Sequence, residues 1–276
     1  MKNRKIGPIL FEVFMIMLAL AYIYPIVLII LNSFKTNRDL MLNVLALPQK
    51  WIITNYIYVW NYMGYPRLFV NNVVITVIGV FGIVLFSSMA AYILSRRKSK
   101  LNWVIYLFCI APMLVPFQTI MITLLKSAKF LNLTKSDWGL GIQYWGFGIP
   151  MAVFLFSGFI STIPKEIDES AMVDGASSIR IFFSIIFPLL KPIISTVIVL
   201  DVMWIWNDFL LPLLMVNSDN STRTLTLAAY TFLGTYVTDW QYSMSALVLA
   251  VFPSIIFFIF MQKNIVKGIT AGAVKG

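Results

Sequence analysis

Residues Leu10–Leu31 read LFEVFMIMLALAYIYPIVLIIL, a run whose one charged side chain is Glu12. A helix of about 20 mostly apolar residues is what the hydrocarbon core of a bilayer requires. The run exceeds a secretory signal core of about 7–15 residues, and Asn32-Ser33-Phe34-Lys35 follows it where a small-x-small cleavage site would stand. A retained first membrane span is expected here, with Pro25 as its kink point.

Working outward, comparable runs occupy Phe69–Leu94, Trp103–Leu125, Leu140–Ile160, Ile193–Val216 and Met244–Met261. The third is broken by Pro112 and Pro116, and the fourth is the least apolar because of its glycines and Gln143. The composition agrees: 60% of the 276 residues are hydrophobic and 12% charged, against about 25% charged in soluble domains. A soluble core cannot hold so much apolar material, whereas lipid-facing side chains need no polar surface. The expectation is an all-α membrane protein with one transmembrane domain over residues 1–276. Its spans fall at 10–31, 69–94, 103–125, 140–160, 193–216 and 244–261, with a long loop at 161–191 and a tail at 266–276.

The formal charge is +10, but the cations lie in short gaps between apolar runs and form no single basic stripe. This is a topology signal, and it argues against nucleic-acid binding. Lys2, Arg4 and Lys5 precede the first run, and Arg96, Arg97, Lys98 and Lys100 crowd the second-to-third turn. Lys165, Arg180 and Lys191 flank the fourth-to-fifth loop, and Lys263, Lys267 and Lys275 follow the last run. Eight basic residues are spread through the longer loops opposite, so charge density places both termini in the cytoplasm. The chain has no histidine and one cysteine, Cys109, inside an apolar run. An internal disulfide, a His/Cys zinc site and a histidine-based triad are therefore excluded.

Two loops stand out. Asn32–Leu68 carries Trp51, Tyr56, Tyr58, Trp60, Tyr62 and Tyr65, a pattern that fits an interfacial aromatic belt or a binding surface. Ser161–Lys191 reads as two short helices. Pro164 suits a helix start, Glu166, Asp168 and Glu169 complement the dipole, and Gly175 permits a left-handed turn after Asp174. Ser177 or Ser178 can cap a second helix, on which Ile179, Phe182, Phe183 and Ile186 recur at helical spacing until Pro188 ends it. The apolar stripe needs a partner, either the bilayer interface or another protein.

Glu169-Ser170-Ala171, three residues, Gly175, nine residues, then Ile185-Ile186-Phe187-Pro188 resembles the coupling-loop signature of binding-protein-dependent ABC import permeases. The usual form is Glu-Ala-Ala, three residues, Gly, nine residues, Ile-x-Leu-Pro; Ser170 and Phe187 depart from it without changing the spacing. The stretch Phe159–Glu166 resembles the carbohydrate branch of that family. The resemblance implies a type I importer permease fold with no catalytic residues of its own. It also implies that the loop, with Glu169, Ser170, Ala171, Asp174, Gly175, Ile185 and Pro188, docks on a separate ATPase subunit. No Gly-x-x-x-x-Gly-Lys-Ser/Thr motif occurs, so ATP and magnesium are expected on that subunit. The implied assembly is a second homologous permease, two ATPase copies and an extracytoplasmic solute-binding protein, in the cytoplasmic membrane.

The segment Val266–Gly276 reads as a disordered tail, yet it resembles the maltose-type permease tail that reaches between the ATPases. Gly268, Thr270 and Gly272 would make that contact. In the fifth run, Asp201 and Asp208 stand seven residues apart and share a helix face with Trp204. Ionisable groups at membrane depth usually face protein or a water-filled path. Trp204–Phe209 resembles a Trp-Asn-Asp/Glu-Phe element of sugar permeases, so Asp201, Trp204, Asn207 and Asp208 are candidate sugar contacts; hydrogen bonding between helices is the alternative. The last external loop, Asn217–Tyr242, matches by position the segment that probes the binding protein, with Tyr230, Phe232, Gly234 and Tyr236 as candidate contacts or as an ordinary polar loop. Rival functions are an ABC permease for a non-sugar solute, a proton-coupled carrier using the two aspartates, and a non-transporting scaffold.

Overall fold

The structure, a computed structural model, describes residues 6–233 and 238–273, with side chains over residues 7–233 and 238–263. The cations Lys2, Arg4, Lys5 and Lys275 lie outside the described residues, as does the side chain of Lys267. Two compact units emerge, Met1–Tyr65 with Ala228–Val251, and Pro66–Leu227 with Phe252–Gly276. The described residues contain no strand beyond a single antiparallel bridge, Leu233 to Thr238.

In the first unit, α1 (Ile6–Ser33) carries Pro25 without interruption. No residue in its most apolar window is buried, as a helix surrounded by lipid or by other chains requires. Thr36 caps α2 (Asn37–Leu42), its oxygen accepting from Asp39 N–H at 3.1 Å. The next helix, α3 (Thr54–Met63), ends at Gly64 with φ +62, a left-handed conformation that costs glycine little. A polar knot joins these pieces: Asn55 Nδ2 donates to the carbonyls of Ser33 and Lys35, both at 2.9 Å. Lys35 is buried, and its ammonium donates to the Asn43 and Val44 carbonyls, each at 3.1 Å. Burial pushes this lysine below its ordinary pKa, with Asp39 opposing the shift.

The second unit is built on α4 (Tyr65–Arg96). After the turn come α5 (Lys100–Ile110), a 3-10 turn (Ala111–Leu114), α6 (Phe117–Phe130) and α7 (Asp137–Ile160). Then follow α8 (Glu166–Val173), α9 (Ser178–Ile181), a π-helical segment (Phe182–Ile186) and α10 (Phe187–Leu189). The unit continues with α11 (Lys191–Asn207), α12 (Leu210–Met215) and α13 (Leu225–Ala229). A 3-10 turn (Tyr230–Phe232) and α14 (Trp240–Ala273) belong to the chain's remaining length. The core of this unit includes Ile83, Tyr144, Phe156, Ile181, Ile186, Leu190 and Ile205. A close seam joins α4 to α7. The space beside Gly82 is filled by the Trp145 indole, whose Nε1 donates to Ile78 O at 2.9 Å. Ile83 fills the space beside Gly148 in the same way. Small residues let membrane helices approach closely where no hydrophobic driving force separates lipid from protein.

Among the described residues four helices are long and apolar enough to cross a membrane, and up to six result if each of two bent pairs counts once. The third run divides at a proline, Lys100–Leu114 and Phe117–Phe130 meeting at 104°, where Pro116 takes an extended conformation with ψ 135. The structure corrects one expected run. The fifth stops at Asn207, where Asp208 turns extended at φ −67 and ψ 143 before α12 begins. The last helix outruns its expected end, continuing to Ala273 through most of the tail segment.

Candidate functional site

The Ser161–Lys191 stretch folds as the expected hairpin. The first arm, α8, begins at Glu166, two residues after Pro164. Gly175 has φ +79 with open space around it, and Ser177 caps the second arm by accepting from Arg180 N–H at 3.4 Å. The burial pattern corrects the expected stripe. Ile181, Phe182, Ile186 and Leu190 are buried, whereas Ile179 and Phe183 are exposed. The π-helical segment shifts the register by adding a residue to the turn. Nor does Pro188 end the arm: the helical path reaches Leu189, and the chain then bends by 74° into α11. Of the residues carrying the signature, Glu169, Ser170, Asp174, Gly175 and Pro188 are exposed, Ile185 is half-buried and Ala171 is buried.

Asp168 departs from the simple dipole role. It is 4% exposed, and its Oδ1 accepts from Tyr92 O–H at 2.5 Å. Arg96 Nη2 approaches Asp168 Oδ2 to 2.8 Å as an ion pair without hydrogen-bond alignment. The same guanidinium donates through Nη1 to Ile163 O at 2.9 Å. Tyr92 also packs against Phe182, ring centroids 5.4 Å apart. Tyr92 and Arg96, four residues apart on one face of α4, thus hold α8, the connector before it and the second arm. Removing one partner of a buried ion pair costs about 3–5 kcal/mol, because the other charge stays behind.

The fifth-run polar residues divide. Asp208, released from helix geometry, does not continue the face that carries Asp201. Its Oδ2 accepts from Tyr144 O–H at 2.8 Å and its Oδ1 from Leu210 N–H at 3.2 Å, while its carbonyl accepts from Thr226 at 2.8 Å. Trp204 meets Tyr144 edge-on at 5.4 Å. Trp204 and Asp208 line a cavity of about 210 Å³ with Phe117, Phe147, Leu210 and Leu211. Sequence reading gave Phe117 no role and missed Phe147; the Pro116 break before the former was the available signal. Asn207 does not line that cavity: it donates to Met203 O at 2.7 Å and accepts from Ser254 at 3.3 Å. Asp201 is buried, and its Oδ2 has no hydrogen-bond partner among the described residues. The structure does not join the two carboxylates by a hydrogen bond.

In the other unit, Tyr230 is 53% exposed, but Phe232 is 8% exposed and packs on Tyr62 and Tyr242 at 5.2 and 6.2 Å. Tyr58 stacks on Tyr242 at 4.3 Å, so Phe232 anchors its segment from inside, which corrects its expected place on a contact surface. Gly234 and Tyr236 lie outside the described residues. Gly268, Thr270 and Gly272 fall within the backbone of α14, and their surroundings likewise lie outside the described side chains.

Comparison with known proteins places this geometry. Residues 82–271 match the family described as binding-protein-dependent transport system inner membrane component. The chain is 43% identical over 261 residues to the probable starch degradation products transport system permease protein AmyC of Thermoanaerobacterium thermosulfurigenes, covering 94% of each chain. It is 36% identical to the multiple sugar-binding transport system permease protein MsmG of Streptococcus mutans, covering 91% of each. It is 32% identical to the melibiose/raffinose/stachyose import permease protein MelC of Bacillus subtilis, covering 94% of this chain and 93% of that one. The fold matches a chain of a bacterial ABC transporter involved in import of the acidic polysaccharide alginate, with TM-score 0.80 at 21% identity over 95% of this chain and 98% of the other. A polytopic apolar chain with the signature hairpin, matched over most of its length by this family, is thus a membrane permease of the binding-protein-dependent transport system inner membrane component family.

Proposed function

We propose that the chain is the permease subunit of an ATP-driven sugar importer. The observation that carries this reading is the hairpin, which presents Glu169, Ser170, Asp174 and Gly175 at its surface while burying Asp168 and Ala171 beneath. A stiff element with an exposed tip suits docking into a cleft on a separate ATPase, which binds and hydrolyses ATP with magnesium. The solute class comes from relatives named for starch degradation products, multiple sugars and melibiose, raffinose and stachyose.

In this reading the Lys100–Leu114 and Phe117–Phe130 pair is one crossing and α11 belongs to another, six spans put both termini in the cytoplasm, and the hairpin lies on that side. The chain pairs with a second homologous permease above two ATPase subunits and receives sugar from an extracytoplasmic binding protein. Gly268, Thr270 and Gly272 reach the ATPases, and Tyr230 faces the binding protein. The Trp204–Asp208 cavity, walled by Phe117 and Phe147, suits a sugar, whose apolar C–H faces meet aromatic rings and whose hydroxyls need acceptors. ATP-driven closure at the hairpin switches the cavity between the two membrane faces.

Uptake into vesicles holding the full complex tests this reading. Labelled oligosaccharide should enter only with internal ATP and external binding protein, and deletion from Gly268 onward should lower uptake without lowering membrane abundance. Uptake at full rate without ATPase, driven by a proton gradient, would establish a secondary carrier instead.

A further inference from the structure

We propose that Tyr92, Arg96 and Asp168 are positioning residues that lock the hairpin to the adjacent end of α4. The hairpin's displacement is then delivered first to the second span, ahead of α7 and α11, its neighbours in sequence. The proposal rests on the reading of the hairpin as the ATPase-docking element.

The geometry points to α4 because the hairpin's chain connections to its neighbours in sequence are bends and its remaining contacts are apolar packing. It joins α11 through a 74° turn and joins α7 through Ser161–Lys165, which is not helical. Bends absorb displacement through a few backbone angles. The attachment to α4 has no such freedom. One turn of that helix supplies a hydrogen bond from Tyr92 to Asp168 at 2.5 Å, an ion pair from Arg96 to Asp168 at 2.8 Å and a bond from Arg96 to Ile163 O at 2.9 Å. Phe182 of the second arm lies against the Tyr92 ring, so both arms meet the same turn.

The residue types suit a joint. Aspartate is short and has few rotamers, and the guanidinium is a planar fork that reaches two acceptors at once. The arginine side chain is 12% exposed and the aspartate side chain 6%, so water competes little for either. Glu166 and Glu169, on the same short helix, are exposed and remain available to a partner. One arm thus carries a buried carboxylate that grips the span beside exposed carboxylates that grip nothing within this chain's described residues.

The complete transporter in liposomes tests this. Spin labels at Val173→Cys on the hairpin and Ile93→Cys on α4, both exposed positions, are measured in a Cys109→Ser background with and without ATP. The lock keeps the label separation constant between the two states in the otherwise native chain. Asp168→Asn should make the separation nucleotide-dependent and cut the stimulation of ATPase by sugar-loaded binding protein about five-fold or more, with basal hydrolysis retained. Separation that varies in the native chain, or Asp168→Asn stimulation within about two-fold of native, overturns the proposal. If Asp168→Asn does not assemble, Tyr92→Phe removes one hydroxyl, keeps the ion pair and is read by the same criteria. Gly175→Trp separates the two hypotheses. Full stimulation in that variant defeats the docking reading, while label separations that are constant in native chains and variable in Asp168→Asn still support the lock.

Discussion

Asp168 and Asp201 are buried to a similar degree, 4% and 8% exposed, yet their surroundings are opposite. The hairpin aspartate meets a phenol and a guanidinium from another helix. The α11 aspartate leaves Oδ2 without a hydrogen-bond partner among the described residues. Burying a carboxylate is costly unless it is paired and hydrogen-bonded. The first is therefore an ion-paired joint within this chain, and the second is a carboxylate with no ion pair among the described residues. Burial alone does not tell a structural carboxylate from one held for another purpose; the partners do.

The comparison breaks most readily at Arg96. Arg96→Ala strands Asp168 and should cost about 3–5 kcal/mol, read as a lower midpoint of thermal unfolding for the solubilised chain; a change near zero would show that the joint bears nothing. Gly175→Trp should spare folding more than function, because open space surrounds the glycine while its positive φ costs a non-glycine residue about 1–2 kcal/mol. Its transport loss should exceed its stability loss. Trp204→Ala should raise the apparent KM for uptake about two- to ten-fold, the value of one aromatic contact, with stability nearly unchanged. Asp201→Asn should move stability by about 1 kcal/mol or less, since no hydrogen bond at Oδ2 is lost. If it nonetheless abolishes uptake, the carboxylate serves transport and the contrast with Asp168 sharpens.

Local features were legible in the sequence and distant pairings were not. The turn at Gly175, the cap at Ser177 and the acidic first turn of α8 follow from residue types within a few positions of each other. The break at Pro116 is legible from the proline itself, whereas the one at Asp208 is obscured because apolar residues continue on both sides and hydropathy does not register backbone direction. The exposure of Ile179 and Phe183 is not legible because helical spacing does not say which part of an apolar stripe its own chain covers. Tyr92 and Arg96 lie more than seventy positions from Asp168, and neither stands out within an apolar span or a basic turn. Tyr144 and Asp208 are similarly separated, and only folding reveals their shared hydrogen bond. Family resemblance supplied the docking role of the hairpin; it did not supply the joint behind it.

The far end of α4 carries a consequence of its own. Asn71 donates to the carbonyls of Ser221 and Arg223 at 2.9 and 3.1 Å. Asn72 accepts from Leu225 N–H at 2.8 Å and donates to Trp206 O at 3.3 Å. From these amides to Tyr92 the helix rises about 30 Å, close to the thickness of a hydrocarbon core. The second span is thus a connecting rod gripped at both tips. A twist imposed at its Tyr92 end would be felt by the 221–225 segment that the two amides hold at the other.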